Sequence, residues 1–265
     1  VVIKDSKETK AFDEDKYGEI EFKNVSFKYP DAEDDVVSDI NFVAKPGKTT
    51  AFIGSTGSGK STLINLIPRF FDVTKGEILV NGVDVRKIKQ HKLRDEIGYV
   101  PQKAVLFSGT IDSNIRYGAE GATKEDIREA ASIAQAMEFI ESKPDKFKTE
   151  IAQGGTNVSG GQKQRLSIAR ALAKKPKIFI FDDSFSALDL KTDAKLRKEL
   201  KSKTKDATVL IVAQRISTIL HADQIVVLDE GKVVGIGTHD ELMKNCEVYK
   251  QIALSQLSKE ELDNE

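Results

Sequence analysis

Cysteine is all but absent: Cys246 is the only one in 265 residues. A lone thiol excludes an internal disulfide and any cysteine-based zinc cluster. It also fits a reducing compartment, so a cytoplasmic location is expected. Long apolar runs are missing too. The longest, such as 178–181, have strand length, whereas a membrane-spanning helix needs about 20 predominantly apolar residues, so no span is expected. Neither sign of charge is in excess: 41 Lys and Arg oppose 42 Asp and Glu, for a formal net charge of −1. Nothing in that balance asks for a nucleic-acid partner. What the chain does have is length, enough to bury a large core and carry a subdomain.

Residues 4–16 are charged with little periodicity and the sequence opens on valine, so 1–17 reads as a linker from a longer polypeptide. Apolar residues alternate at Ile20 and Phe22, slip phase at Asn24 and resume at Val25, Phe27 and Tyr29. That pattern predicts two strand pieces joined at a bulge or turn. Further strands are expected at 41–44 and 49–53, then a helix over 61–70, then a hairpin turning at Asn81-Gly82 between 77–80 and 83–85. Ile127, Ala130, Ala131 and Ala134 have helical spacing, and 103–175 is the expected helical insertion. Beyond it, helix (160–175), strand (178–181), helix (193–203), strand (209–212) and helix (216–221) alternate, which predicts a parallel sheet. A late hairpin turns at Glu230-Gly231. Thr238 with Glu241 forms a capping box opening a short helix towards Tyr249, and 256–265 is expected to be an acidic tail, frayed past Ser258. The fold class is α/β: a mostly parallel sheet, an N-terminal antiparallel β subdomain and an inserted α-helical subdomain.

Gly54-Ser55-Thr56-Gly57-Ser58-Gly59-Lys60-Ser61 follows an apolar strand and opens a helix, the context that a G-x4-G-K-[ST] phosphate loop requires. Glycines let backbone N–H groups converge on phosphate oxygens, the helix N-terminus adds partial positive charge, and Lys60 adds a full one. Ser61 suits Mg²⁺ through its hydroxyl, and Thr62 continues the nucleotide-binding run. The strand at 178–181 ends in Asp182-Asp183, and a carboxylate at the carboxyl end of a buried parallel strand points into the ligand crevice. Asp182 therefore suits a hold on Mg²⁺, with a helix N-cap as the plainer alternative.

Asn157-Val158-Ser159-Gly160-Gly161-Gln162 resembles the signature motif of ABC transporter ATPases, with Ser159 and Gln162 spaced as a capping box. Further likenesses follow in the family's order over 18–255. Tyr29 resembles the aromatic residue that stacks on adenine, although core packing would also suit it. Gln102 resembles the glutamine that reaches Mg²⁺ or the attacking water. Ser186-Ala187-Leu188-Asp189 resembles the loop that crosses to the opposite monomer, with Asp189 as its anchor or, more simply, as the cap of the next helix. The resemblance implies a P-loop NTPase core, ATP and Mg²⁺, and a second nucleotide-binding domain as partner. The opening from Gly18 to Tyr29 resembles exporters whose transmembrane half is fused upstream, which implies work at the cytoplasmic face of a membrane. Thr149-Glu150 looks like the start of the exporter loop that touches the partner's membrane segments, but Ala152 to Gly155 lack its acidic and basic pair.

Two positions depart from the family. Asp183 stands where a glutamate usually acts as general base, and Gln214 where a switch histidine usually contacts the γ-phosphate. Gln214 donates a hydrogen bond but carries no charge. Both changes remove catalytic chemistry and leave the ATP-holding residues in place. They imply a site that binds ATP, hydrolyses it weakly, and lends its signature to a non-identical partner. His91, His221 and His239 are expected at the surface. The competing readings are a separate importer subunit, a nucleotide-gated module without turnover, and a DNA-repair ATPase. The last would need a long coiled coil between Lys60 and Ser159, which are only about 100 residues apart without sustained heptads.

Overall fold

The computed structural model describes residues 2–262. The first alternating stretch is a single strand, β1 (Ile20–Phe27), rather than two. Its phase slip is a bulge: the register shifts between Phe22 and Val25, where Asn24 takes a φ of 49°, a left-handed conformation that asparagine tolerates. β1 pairs antiparallel with β2 (Val37–Ala44), and Phe22 stacks on Phe42 at 4.6 Å. β3 (Thr49–Gly54) leads through the glycine-rich loop into α1 (Lys60–Asn65). The expected helix over 61–70 is shorter because Pro68 has no N–H and disfavours helix at Ile67. Beyond Asn65 the chain continues in i→i+3 turns, from Leu66 to Leu63 and Ile67 to Ile64. β4 (Lys75–Val80) joins the other side of β1, and β5 (Val83–Asp84) closes the Asn81-Gly82 hairpin, giving a four-stranded sheet ordered β2-β1-β4-β5.

α2 (Gln90–Asp95) and β6 (Ile97–Val100) are too short for periodicity to reveal, and the sequence pattern does not predict them. The insertion then holds β7 (Gly109–Thr110), α3 (Ile111–Arg116), α4 (Lys124–Ile133), α5 (Met137–Ser142), β8 (Glu150–Ile151) and α6 (Gly160–Ala173). β9 (Ile178–Asp182), α7 (Leu190–Lys203), β10 (Thr208–Val212), α8 (Ile216–Ile219) and β11 (Gln224–Asp229) carry the expected alternation. β12 (Lys232–Gly237), α9 (His239–Asn245) and α10 (Glu247–Leu262) complete it. The six-stranded sheet runs β12-β11-β3-β10-β9-β6, parallel throughout except for the edge strand β12.

Two apolar layers explain why its strands read as continuous hydrophobic runs. Phe179 and Phe181, with Val209 and Ile211, face the core shared with the helical insertion and α7. Ile178 and Ile180, with Leu210 and Val212, face the core shared with α1 and the antiparallel sheet. Successive side chains of a strand point to opposite faces, so β9 is buried at every position.

Both termini are more ordered than the composition suggests. Along the stretch expected as a linker, Lys10 N–H donates to Lys87 O and Asp13 N–H to Asn81 O, each at 3.0 Å, while Gln90 N–H donates to Asp5. At the other end, the expected tail is helical as far as Leu262, and the last three residues lie outside the described range.

Candidate functional site

The carboxyl ends of β3 and β9 bring the phosphate loop to the paired aspartates. The loop's first glycine is required by space: a Cβ at Gly54 would sit 2.2 Å from the Leu228 carbonyl. Gly59 has a φ of 97°, and a Cβ there would meet Val37 Cγ1 at 2.7 Å. At the tip the opposite holds, since a Cβ on Gly57 would meet nothing within 4 Å. Lys60 is buried, and its ammonium donates to Gly54 O at 2.6 Å and Ser55 O at 3.0 Å. Burial pushes its pKa down, against the carboxylates of Asp183 and Asp182. Ser61 Oγ donates to Asp182 Oδ1 at 2.9 Å. Burial raises the Asp182 carboxyl, opposed in part by that Ser61 bond.

Asp183 follows on left-handed backbone, φ 49°, with its N–H donating to Val212 O at 2.8 Å. Gln102 Nε2 donates to Asp183 Oδ2 at 3.2 Å, so the sequence-distant glutamine and the aspartate pair share one site. Burial, then the charge of Asp182, raises the Asp183 carboxyl, while Lys60 and Arg215 act the other way. Ser184 is wholly buried and its hydroxyl donates to Val100 O at 2.7 Å, which ties the end of β6, and hence Gln102, to β9.

Tyr29 sits beside this loop. Its hydroxyl is 2.9 Å from Thr62 Oγ1, and its ring packs edge-on against Phe27 and Phe71 at 4.8 and 5.3 Å. Sequence reasoning names Tyr29 and Thr62 but not their contact, nor Phe71, which is partly exposed beside them.

Ser159 is the N-cap of α6, in the expected reciprocal box: Gln162 N–H donates to Ser159 Oγ at 3.2 Å, and Ser159 N–H to Gln162 Oε1 at 3.1 Å. The preceding loop is stapled by Asn157, which accepts from Ala152 N–H at 3.0 Å and donates to Glu150 O at 2.8 Å. A Cβ on Gly161 would lie 3.4 Å from Ala187 O, so the signature helix starts against the loop that ends at Asp189. Asp189 caps α7, accepting from Thr192 N–H and Oγ1 at 2.9 and 2.7 Å, which is the simpler of its two sequence readings. The Thr192 backbone hydrogen bond holds its carboxyl low. Among the described residues no hydrogen bond or ion pair joins Ser159, Gly160, Gly161 or Gln162 to the phosphate loop.

Gln214 is exposed on the loop after β10, and the next residue holds that loop inward. Arg215 donates to Phe185 O and to Asp193 Oδ2, each at 2.9 Å, and the buried Asp193 also accepts from Arg197 and Thr218. Sequence reasoning misses Asp193, since one carboxylate inside a charged helix gives no signal of burial. Of the histidines, His91 and His221 are exposed as expected, while His239 is half-buried with Nδ1 2.6 Å from the hydroxyl of the buried Tyr249.

Glycine cradle, buried ammonium and a hydroxyl paired with a carboxylate fit a nucleotide with Mg²⁺, a cation that takes oxygen ligands and relies on phosphates and water for the rest. Among the described residues no helix is long and apolar enough to cross a membrane.

Known proteins share both the sequence and the shape. Residues 37–186, more than half of the chain, match the ABC transporter family. An uncharacterised ABC transporter ATP-binding protein of Mycobacterium tuberculosis is 48% identical over 242 residues, 90% of this chain and 41% of its own length. YgaD of Bacillus subtilis, whose name proposes a multidrug export ATP-binding/permease protein, is 46% identical over 89% of this chain and 40% of its own. The chain thus spans about two fifths of these relatives. A bacterial Atm1-family ABC exporter solved with ATP bound superposes with a TM-score of 0.90 at 34% identity, covering 96% of this chain and 44% of that one. On the family match over more than half of its length, this chain belongs to the ABC transporter family as an ATP-binding domain.

Proposed function

We propose that this chain is the ATP-driven motor domain of one half of an ABC exporter, paired with a non-identical nucleotide-binding domain at the cytoplasmic face of a membrane. The domain is 18–255, with 103–175 as its helical subdomain and 1–17 leading in from a transmembrane half; a second transmembrane half belongs to the partner. The observation that carries the reading is the joint of Ser61 and Asp182 at 2.9 Å beside the buried Lys60. Tyr29 offers a ring to the base, Gly54 to Thr62 cradle the phosphates, and Ser61, Asp182 and Gln102 would hold Mg²⁺. That ion would neutralise phosphate charge. The relatives' names support export, and so does an exposed apolar cluster of Val105, Phe107 and Tyr117, over which Arg170 lies. Such a patch marks an interaction surface and suits the membrane half.

The chain's own site binds ATP and turns it over slowly. Burial makes Asp183 a better base than a free carboxylate, so what it lacks is reach: glutamate would extend it by one bond of about 1.5 Å. A misplacement of about 1 Å costs on the order of 10²-fold. Gln214 supplies no charge at the γ-phosphate. The N–H groups of Gly160 and Gly161, between the two that the Ser159–Gln162 box occupies, complete the partner's site, with Asp189 at the same interface.

Phosphate release by the assembled transporter at saturating ATP tests this. Replacing Ser159 or Gly161 removes most activity, and Asp183→Ala removes much less. If Asp183→Ala is the more damaging, this chain's own site is the working one and the unequal pairing is wrong.

A further inference from the structure

The loop that carries Gln214 is held by a residue that lies far along the chain. α8 begins at Ile216, and its N-cap, Arg215, makes no side-chain cap because a guanidinium has donors and no acceptor; it donates instead to Phe185 O and Asp193. The Ile216 N–H is instead capped from α10: Gln256 Oε1 accepts it at 2.7 Å. The other end of the same amide, Gln256 Nε2, donates to Gln214 O at 2.5 Å. A carbonyl accepts and an N–H donates, so only one orientation of the Gln256 amide satisfies both partners. Tyr249, Ala253 and Gln256 are spaced i, i+4, i+7 on one helical face, and the first two are buried, at 0% and 1% exposure. The base of α10 is therefore fixed in the core, and its next inward residue clamps the backbone on both sides of Arg215.

We infer that Gln256 is a positioning residue for Gln214, and that the C-terminal helix thereby sets how well the site tells ATP from ADP. The inference rests on the proposed contact between Gln214 and the terminal phosphate. Gln256 touches no nucleotide in this scheme. It fixes the carbonyl of Gln214 and the start of α8, and so the direction in which the exposed Gln214 side chain leaves the loop. Arg215 restrains the same loop through Phe185 O and Asp193, and the Asp183 N–H bond to Val212 O joins the loop's root to the aspartate pair. A displacement of the clamp would reach the γ-phosphate end of the site and leave the phosphate loop, which binds the α- and β-phosphates, where it is.

The test is calorimetric titration of the full chain with Mg-ATP and, separately, Mg-ADP, for the parent, Gln256→Ala, Gln256→Glu, Gln214→Ala and the double variant Gln214→Ala/Gln256→Ala. Glutamate keeps the shape and the acceptor for Ile216 but opposes a carboxylate to Gln214 O, so it tests the clamp even where alanine loosens α10. Losing one such hydrogen bond predicts about a 5- to 10-fold weaker ATP affinity in both Gln256 variants, with ADP affinity within about twofold of the parent. In the Gln214→Ala background the Gln256→Ala change has no further effect on ATP, because the two act through one contact. Amide exchange at Ile216, read on the same proteins, accelerates by about 5- to 10-fold in Gln256→Ala. ADP binding with an unchanged preference for ATP, an additive double variant, or unaltered Ile216 exchange overturns the positioning role alone. Absence of ADP binding by the parent overturns the nucleotide-site reading, and this inference with it.

Discussion

Lys60→Ala is the most direct perturbation of the nucleotide site. Lys60 is 8% exposed, and its ammonium hydrogen-bonds only to carbonyls of its own loop, Gly54 O at 2.6 Å and Ser55 O at 3.0 Å. Burial lowers its pKa and the charges of Asp183 and Asp182 raise it, so the positive charge is held in place by the carboxylates across the site. A phosphate oxygen offers a stronger partner than a carbonyl, because charge-assisted bonds are worth about 1.5–3 kcal/mol each. Removing one such bond weakens Mg-ATP by about 10- to 150-fold. Stability responds differently. The variant loses two hydrogen bonds but also a partly desolvated charge, and these oppose each other, so the midpoint of thermal unfolding moves little. Calorimetric titration at neutral pH, with a melting curve on the same sample, separates the two effects. An ATP affinity within about threefold of the parent, on a folded variant, refutes the role of Lys60 and with it the phosphate-loop argument.

The Asp182 carboxyl is raised from its ordinary value of 3.8 by burial, so the folded chain holds that proton more tightly than the unfolded one. Its contribution to stability falls as pH rises from about 3.8 through the folded value and is flat above it. Asp182→Asn therefore stabilises the protein at pH 7, with an advantage over the parent that shrinks towards pH 4; urea melts across that range that show the variant weaker at pH 7 would contradict it. Asp193→Ala costs about 1.5–3 kcal/mol by denaturant melts, since Arg215 and Thr218 lose a buried acceptor, and a change under about 0.5 kcal/mol would dismiss that network. Asp183→Glu with Gln214→His raises phosphate release in the assembled complex, while glutamate on left-handed backbone at 183, φ 49°, lowers the melting midpoint slightly. No gain in rate would mean that reach and charge are not what limits this site.

Local chemistry alone determines much of this protein. The glycine spacing before Lys60, the apolar run ending in two aspartates and the Ser159–Gln162 box each depend on neighbours within a few residues, and the structure starts each helix and ends the strand where the sequence puts them, although α1 stops short of its expected end. The same holds for the phase slip at Asn24, although sequence leaves open whether it divides a strand or bulges one. Strand pairing decides that, because β2 and β4 hold both halves of β1. What lies beyond sequence is every contact between distant segments: Gln102 with Asp183, Tyr29 with Thr62, and Arg215 with Asp193. No periodicity encodes these: the first and third are set by which strands lie side by side in the parallel sheet, and the second by how the antiparallel sheet packs on α1. Composition also misleads at the two ends of the chain. The segments before Gly18 and after Ser255 look like solvated linkers by charge, yet Asp13 and Gln256 bond to backbone 40 residues away or more. A charged stretch is ordered when a few of its polar groups meet unpaired backbone on a folded surface, and only the tertiary structure says where that backbone lies.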